Sequence, residues 1–387
     1  MPTSNLRRRS HLASTVFALA FAFGAAVSPA QAQEKPAGLK DTMIWSTYDV
    51  GSTGHTEASA ISDAMTKAYG TRIRLLPSGT GIGRILPLKT DRADTAWLAN
   101  ELYFATRGLF DFAVKDWGPQ DMRVVAGRPS SYGIVTTKES GITTPDGLRG
   151  KRIAYSAANP SISIKNDALL AAAGLTRDDV TIIEFPSYND ALKALIEGQA
   201  DAAGASTTSG TLFELEASPR GIAWVQMDPD NAEIWSNMEK VAPIFAPISE
   251  TVGAGITAEN PVNLAAYRYP MITVYADADA DMVYGLIKAL DESYDAYKGA
   301  APIMERWAIA KAGAKPMDAP FHEGAIRYLK EIGQWTDEDQ AWNDKQVAQI
   351  TALREAWDAM QADAASMSDE DFEKAWTEKR DAVMQGG

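Results

Sequence analysis

The chain is predicted to fold as an α/β protein with parallel sheets in two lobes. Short apolar stretches typical of strands alternate with stretches that carry apolar residues at helical spacing. Turns rich in Gly, Ser and Thr join them. About 355 of the 387 residues follow a leader-like N-terminus, which is enough chain for two full cores. Such alternation is typical of parallel sheets with right-handed crossovers.

The N-terminus is predicted to be a cleaved export signal over residues 1–32. Arg7-Arg8-Arg9 precedes an uncharged apolar run, and Ala30-Gln31-Ala32 fits a cleavage site, so the mature chain would start near Gln33. The alternative, a membrane anchor, is disfavoured because the run is short and no second apolar run of membrane length follows. We expect general secretory export, with the twin-arginine route open although His11 stands where that signal prefers a bulky apolar residue. The expected location is the periplasm, without membrane insertion after cleavage.

Charge and cysteine content exclude several classes of function. The net charge is −14, and removing the three arginines of the leader leaves −17. Such acidity disfavours nucleic acid and anionic membranes as general partners. The sequence has no cysteine, so thiol catalysis and cysteine-based metal sites are excluded, and the exported protein must be stable without disulfides.

Strand-like stretches recur along the body of the chain. They are Met43–Trp45, Arg72–Leu76, Thr95–Leu98, Met122–Ala126, Gly133–Thr137, Lys151–Ser156, Val180–Phe185, Asp201–Ala203 and Tyr269–Tyr275. Helices are predicted after the first strand, before Gly174, over Tyr188–Glu197 and over Asp279–Tyr297.

The pattern restarts after Thr137, which predicts a crossing between lobes. We predict lobe I from residues 40–136 and 269–335 and lobe II from residues 137–268. Residues 336–387 form a helical C-terminal extension, expected to consist of two helices packed on the body; a partner-binding surface is the alternative. The ligand would lie between the lobes, at the carboxyl ends of the strands.

Three hydroxyl-rich turns lead from strands into helices. They are Gly51-Ser52-Thr53-Gly54, Pro77–Arg84 and Ser206–Gly210. Free backbone N–H groups and the helix dipole favour an anion at such turns. The sequence therefore predicts a small-molecule site that holds an anion.

From Met43 to Trp335 the chain resembles the TAXI family, the solute receptors of tripartite (TRAP) transporters. The stretches that carry the resemblance are Gly51–Gly54, Leu76–Thr80, Ala93–Leu98, Gly147–Ile153, Ala171–Leu175 and Ala191–Ala202. Their order and spacing over nearly 300 residues make chance an inadequate explanation. The resemblance implies a type II periplasmic-binding fold, ligand capture between closing lobes and delivery to TRAP membrane subunits. It also implies a small organic acid as ligand, such as glutamate or 2-oxoglutarate.

The chain departs from the family pattern at the ligand turns. Arg84 stands where the family often has Asn, the second-lobe loop around Ser161 lacks the family's glycines, and His55-Thr56 replaces a usual tyrosine. These differences indicate that the ligand differs from glutamate.

The candidate ligand-binding residues combine these turns with two arginines and aromatic walls. They are Gly51, Ser52, Thr53, Gly54, Ser78, Gly79, Thr80, Arg84, Trp97, Arg128, Tyr132, Asn159, Ser161, Ser206 and Thr207. Arg84 is predicted to grip a carboxylate, the alternative being a surface pair with Asp91 or Asp94. Arg128 is predicted to face the cleft, the alternative being a hinge salt bridge. If both face it, a dicarboxylate fits; single hydroxyls are otherwise helix caps, and the aromatic rings otherwise core.

No catalytic, metal or cofactor site is predicted. His55 and His322 are too far apart in sequence to indicate a triad or a metal site, and the acids at 277–281 lack the later residues of a calcium loop. The glycines at 79–83 are wrongly spaced for a dinucleotide, and no Gly-x-Ser-x-Gly is present. The alternatives to a TRAP receptor are a receptor for an ATP-driven (ABC) importer, an exported hydrolase and a sensor.

Overall fold

The computed structural model describes residues 34–157 and 159–386; the predicted export signal lies outside them. The strands are β1 (Thr42–Thr47), β2 (Arg72–Pro77), β3 (Thr95–Leu98), β4 (Met122–Thr136), β5 (Arg152–Ser156), β6 (Thr181–Phe185), β7 (Ala202–Ser206), β8 (Ala223–Trp224), β9 (Ala246–Glu250) and β10 (Val262–Tyr275). The helices are α1 (Thr53–Tyr69), α2 (Gly81–Lys89), α3 (Glu101–Arg107), α4 (Pro160–Ala171), α5 (Tyr188–Ile196), α6 (Gly210–Ala217), α7 (Ala232–Val241), α8 (Ala280–Glu292), α9 (Tyr294–Tyr297), α10 (Ile309–Ala312), α11 (Glu323–Glu331), α12 (Asp337–Gln361) and α13 (Asp369–Gly386).

One continuous sheet runs through the molecule in the order β2-β1-β3-β10-β4-β7-β5-β6. The groups β2-β1-β3 and β7-β5-β6 are each parallel, as predicted. The long strands β4 and β10 pair with each other and lie antiparallel to their neighbours β7 and β3. The α/β class and the two crossing strands are therefore confirmed.

Two hydrophobic clusters divide the sheet into what we call the first half and the second half. The first cluster lies around β1–β3 and α8, with Trp45, Trp97 and Leu286 fully buried. The second lies around β5–β7, with Leu192 and Leu212 fully buried. The predicted lobe boundaries stay a prediction, because residues from Glu34 onward pack as one compact unit.

The C-terminal extension consists of two helices packed on the body, as the sequence favoured. Trp357 and Trp376 contact each other edge to face with ring centroids 4.8 Å apart. The indole of Trp376 donates a 2.6 Å hydrogen bond to the carbonyl of Gly108 in the first half. A Cβ on Gly118 would lie 2.4 Å from the Trp357 ring, so this glycine gives the indole its room.

Three element assignments differ from the sequence prediction. The two strands predicted over 122–126 and 133–137 are one strand, β4, because its middle residues pair with β10. The loop predicted through Ser161 gives way to α4, which begins at Pro160 with Asn159 as its N-cap. The single helix predicted over 279–297 is divided at Ser293 into α8 and α9. Among the helices described, none combines the length and apolarity required to cross a membrane.

Candidate functional site

A small cavity of about 70 Å³, here called the inner cavity, lies where the two halves meet and has charged and hydroxyl side chains in its lining. Its lining residues stand at helix beginnings or on the crossing strands. They are Tyr48, Asp49, Ser52, Thr53, Gly79, Arg84, Ala99, Glu101, Tyr132, Asn159, Ser161, Ile162, Lys165, Tyr188, Asn189, Ser206, Ser209, Tyr267 and Tyr269.

Helix N-termini from both halves surround this cavity. The helices α1 and α2 of the first half and α4, α5 and α6 of the second each begin at a residue that lines it or adjoins its lining. Each N-terminus carries roughly half a positive charge and unpaired backbone N–H groups. The electrostatics of the backbone therefore favour an anion at this place.

Several predicted hydroxyl and amide groups cap these helices. Ser52 Oγ accepts a hydrogen bond from the backbone N–H of His55, at 3.2 Å. The Oδ1 atom of Asn159 accepts from Ile162 N, at 3.3 Å. Each cap satisfies one of the orphan donors of its helix and leaves others available.

Arg84 is buried and paired with Glu101. Its Nη2 donates to Glu101 Oε1, its Nη1 donates to Ser78 O at 2.9 Å, and its guanidinium lies 3.8 Å from the centroid of the Tyr48 ring. Burial acts to lower the pKa of Arg84, but the Glu101 carboxylate outweighs it and raises that pKa. The alternative of a surface pair with Asp91 or Asp94 is wrong, because the partner of Arg84 is the buried Glu101, three residues after the end of β3.

Lys165 supplies a second buried cation to the inner cavity. It lies on α4, one turn after Ser161, and is 2% exposed. Its Nζ donates to Asn100 Oδ1 at 2.8 Å and to Ser161 Oγ at 3.3 Å, both neutral acceptors. Within residues 34–157 and 159–386, no carboxylate forms a salt bridge with it. Burial lowers the pKa of Lys165 to about 8.

The buried charges of the cavity leave one cation in excess. Among the buried residues of its lining, Arg84 and Lys165 are positive and Glu101 is negative, while the lining residue Asp49 is exposed. The carboxyls of Glu101 and of Asp318, which lies outside the lining, both oppose the fall in the pKa of Lys165 but accept no hydrogen bond from it. Arg84 Nε and Asn100 Nδ2 are buried and lack a hydrogen-bond partner in the described part of the chain. The unsatisfied hydrogen-bonding groups in and beside the cavity are therefore donors, which suits a ligand rich in acceptors.

Hydrogen bonds join the two halves across this region. Lys165 and Ser161 of α4 both donate to Asn100 Oδ1 at the start of α3, at 2.8 and 2.9 Å. On another side, Thr53 Oγ1 donates to the carbonyl of Thr208 at 3.0 Å. The two halves are therefore in contact around the cavity in this structure.

Eight of the fifteen residues proposed from the sequence line the inner cavity. They are Ser52, Thr53, Gly79, Arg84, Tyr132, Asn159, Ser161 and Ser206. The turns on which the sequence prediction depended therefore come together, from both halves. Contact with a ligand stays a prediction for each.

The other seven residues lie elsewhere for identifiable reasons. Trp97 is fully buried in the first core between Trp45 and Trp307, with ring centroids 5.6 and 5.5 Å away, so it does not wall the cavity. Arg128 does not face the cavity, because Glu57 accepts both its Nε, at 2.7 Å, and its Nη2.

The remaining five serve the backbone or lie beside the cavity. Gly54 N donates to Tyr269 Oη at 3.1 Å, and Thr207 Oγ1 donates to Val252 O at 2.9 Å. Thr80 caps α2, and the carbonyl of Ser78 receives Arg84. Gly51, with φ of 88°, lines a neighbouring groove instead.

Sequence reasoning missed Glu101 and Lys165, which carry most of the cavity's charge chemistry. Glu101 follows a buried strand by three residues, and Lys165 shares a helix face with Ser161 at i, i+4 spacing. Both signals were present in the sequence. The tyrosines of β10, Tyr267 and Tyr269, alternate with period two and stack with centroids 5.8 Å apart.

Metal chemistry finds no support in the described residues, where no group of three or more His, Asp or Glu side chains is placed to hold an ion. His322 caps α11 by accepting from Gly324 N at 3.1 Å, and His55 Nδ1 lies 3.2 Å from Thr47 Oγ1.

A model of the NMT1-like family matches residues 53–333. No curated protein matches the chain. Solved structures with a similar arrangement include one of a protein from Bordetella bronchiseptica RB50, at 19% identity over 77% of this chain and 91% of that one, with a TM-score of 0.44. An ancestral arginine-binding protein bound to arginine is 15% identical over 70% and 99%, with a TM-score of 0.41. The alkanesulfonate-binding protein SsuA from Xanthomonas axonopodis pv. citri, bound to MOPS, is 15% identical over 76% and 92%, with a TM-score of 0.39.

The sheet has the type II periplasmic-binding architecture expected of the chain, with two parallel strand groups joined by two crossing strands. The helical C-terminal extension is an addition to it.

Proposed function

We propose that this chain, which belongs to the NMT1-like family, is a periplasmic receptor that captures a small carboxylate between two closing lobes. It then delivers the carboxylate to the membrane subunits of a TRAP transporter. The proposed role is binding without chemical change of the ligand.

The observation that carries this proposal is the buried ammonium of Lys165 in a cavity ringed by helix N-termini. Its hydrogen-bond acceptors, Asn100 and Ser161, are neutral, and the buried cavity charges sum to one excess cation. A buried cation without an anionic partner is unfavourable, and a bound carboxylate would relieve it. Charge-assisted hydrogen bonds of this kind contribute about 1.5–3 kcal/mol each.

Closure would follow from population shift. Arg84 belongs to the first half and Lys165 to the second, so a ligand that touches both gains its full contacts only when the halves meet. A ligand that binds the closed state better than the open one stabilises the closed state. The membrane subunits would then recognise the closed form.

The choice between dicarboxylate and monocarboxylate depends on Arg128. Two arginines facing the cleft would favour a dicarboxylate as ligand, but Arg128 is already neutralised by Glu57. One excess cation supports one carboxylate in the inner cavity. We therefore retain the carboxylate class and favour a single carboxylate group in the ligand.

The test is calorimetric titration of the purified protein with acetate, glutamate and 2-oxoglutarate, alongside native mass spectrometry of protein isolated from cells. We expect a carboxylate to bind and the Lys165→Met variant to bind it more weakly. A protein that binds none of these acids, releases an uncharged ligand on mass spectrometry, or converts a bound ligand to product would contradict the proposal.

Arg84→Ala is a less informative test of ligand binding than Lys165→Met. Its removal leaves the buried Glu101 carboxylate without its cation, so the fold would be destabilised together with any loss of affinity.

The transporter class is tested separately by the neighbouring genes. A large membrane subunit without an ATPase supports a TRAP system, whereas an adjacent ATPase supports the ABC alternative.

A further inference from the structure

A larger groove adjoins the inner cavity and is here called the outer groove. Its volume is about 520 Å³, within the range of small-molecule sites. Carbon atoms make up most of its lining, which includes Ala60, Phe213, Val252, Ile256, Ile303 and Met304. Phe213 is 47% exposed, so a large apolar ring stands uncovered at the groove.

Both halves of the molecule build this groove. The helix α1 and residues 300–304 belong to the first half, whereas residues 208–213 and 251–258 belong to the second. A molecule in the outer groove therefore contacts both halves, as one in the inner cavity does.

One threonine lines both the groove and the inner cavity. Thr53 lines both spaces, and its Oγ1 donates to the carbonyl of Thr208, which lines the groove, at 3.0 Å. The hydroxyl of Thr208 lies 3.5 Å from that of Thr53.

The one acid beside the groove is already neutralised. Glu57 lines it, but Arg128 donates two hydrogen bonds to the Glu57 carboxylate and the Trp307 indole donates a third, at 2.7 Å. Glu57 as a whole residue is 1% exposed. The outer groove therefore offers contact area without a free charge, in contrast to the inner cavity.

The two spaces differ in size as they do in charge. The inner cavity, at about 70 Å³, is much smaller than typical small-molecule sites, whereas the outer groove, at about 520 Å³, is within their range. The remainder of any larger acid must lie outside it, and the adjoining space is apolar.

We propose that the ligand is an amphipathic monocarboxylic acid, with its carboxylate at Lys165 in the inner cavity and its apolar tail past Thr53 and Thr208 in the outer groove. This inference rests on the proposed function and specifies its ligand class. It also gives Phe213 and Ala60 the role of specificity-determining residues.

The test is a chain-length series, acetate, butanoate and hexanoate, with hexanol as the uncharged probe, titrated into the purified protein by calorimetry. We expect affinity to rise about fourfold for each methylene that enters the groove. We expect hexanol to bind much more weakly than hexanoate, because it lacks the group that meets Lys165.

Two variants and a matched control identify the groove. Ala60→Phe fills it, and Phe213→Ala removes apolar contact; each should weaken hexanoate roughly tenfold or more while leaving acetate unchanged. Ser59→Phe places the same ring on the adjacent, exposed position of α1 outside the groove and should change neither acid. Thermal melting of each variant establishes that it is folded.

The outcomes separate this inference from the proposed function. Acids that bind with a Lys165 dependence but without a chain-length gain leave the receptor function standing and overturn the outer-groove assignment. Hexanol binding as tightly as hexanoate also overturns it, because the groove would then act independently of the cavity. Failure of every acid to bind overturns both proposals.

Discussion

Replacing Lys165 with Met should stabilise the fold and weaken carboxylate binding at the same time. Met has a similar length and needs no hydrogen bond, and Asn100 Oδ1 keeps its other donor, Ser161 Oγ, at 2.9 Å. The substitution therefore removes a buried charge without leaving an acceptor unpaired. A residue kept for stability alone would show the opposite behaviour.

The magnitude follows from the lysine's environment. Burial lowers the pKa of Lys165 from 10.5 to about 8, which corresponds to about 3 kcal/mol of unfavourable free energy for the charged form at neutral pH. Allowing for lost contacts, we expect the free energy of unfolding to rise by about 1–3 kcal/mol. Loss of one charged hydrogen bond to the ligand should weaken carboxylate binding by about 10- to 150-fold.

Urea unfolding and calorimetric titration measure the two effects on the same preparation. Lys165→Arg is the matched control, because it keeps a positive charge but changes its shape. A Lys165→Met protein that is less stable than the parent by 2 kcal/mol or more, or that binds the carboxylate as tightly, would refute the reasoning.

Three further predictions follow from the described contacts. Carboxylate affinity should fall as pH rises through about 8, where Lys165 loses its proton. The unfolding free energy should rise between about pH 8 and 10.5, because the unfolded state binds that proton more tightly. Titration and urea unfolding across this range measure both trends, and both should be absent in Lys165→Met. Arg128→Met should lower the unfolding free energy by about 3–5 kcal/mol because it leaves buried Glu57 unpaired, and adding Glu57→Gln should recover part of this; no recovery in the double variant would contradict the pairing. Trp376→Ala should cost about 3–5 kcal/mol in urea unfolding while leaving ligand affinity unchanged, since the extension packs at Gly108, away from the cavity; altered affinity would point to a coupling not expected here.

Local patterns predicted the elements that position the site. The strand over 95–98 was located to the residue, and the turns at 51–54 and 206–210 were recognised as strand-to-helix corners. These are properties of short segments: apolar runs of strand length, glycine and hydroxyl residues at caps, and helical spacing. They also sufficed to predict that corners from distant segments meet, because parallel strands bring their carboxyl ends to one edge.

Partnerships between side chains were not predictable in the same way. Arg84 and Arg128 are the same residue type after similar stretches, yet one lines the inner cavity and the other is held by Glu57 beside Trp307. No spacing in the sequence distinguishes them, since the deciding carboxylates lie 17 and 71 positions away. Which carboxylate pairs with each arginine, and which space that arginine faces, depend on contacts that form only in three dimensions.

The sequence by itself determined the α/β class, the hydroxyl-rich helix beginnings and the two-helix extension, because backbone geometry responds to the nearest few residues. Only the tertiary structure decided that Lys165 donates its hydrogen bonds to neutral acceptors, that Trp97 is core, and that Thr53 lines both the inner cavity and the outer groove. Those properties arise from burial, and burial is set by all the elements that pack around a side chain together.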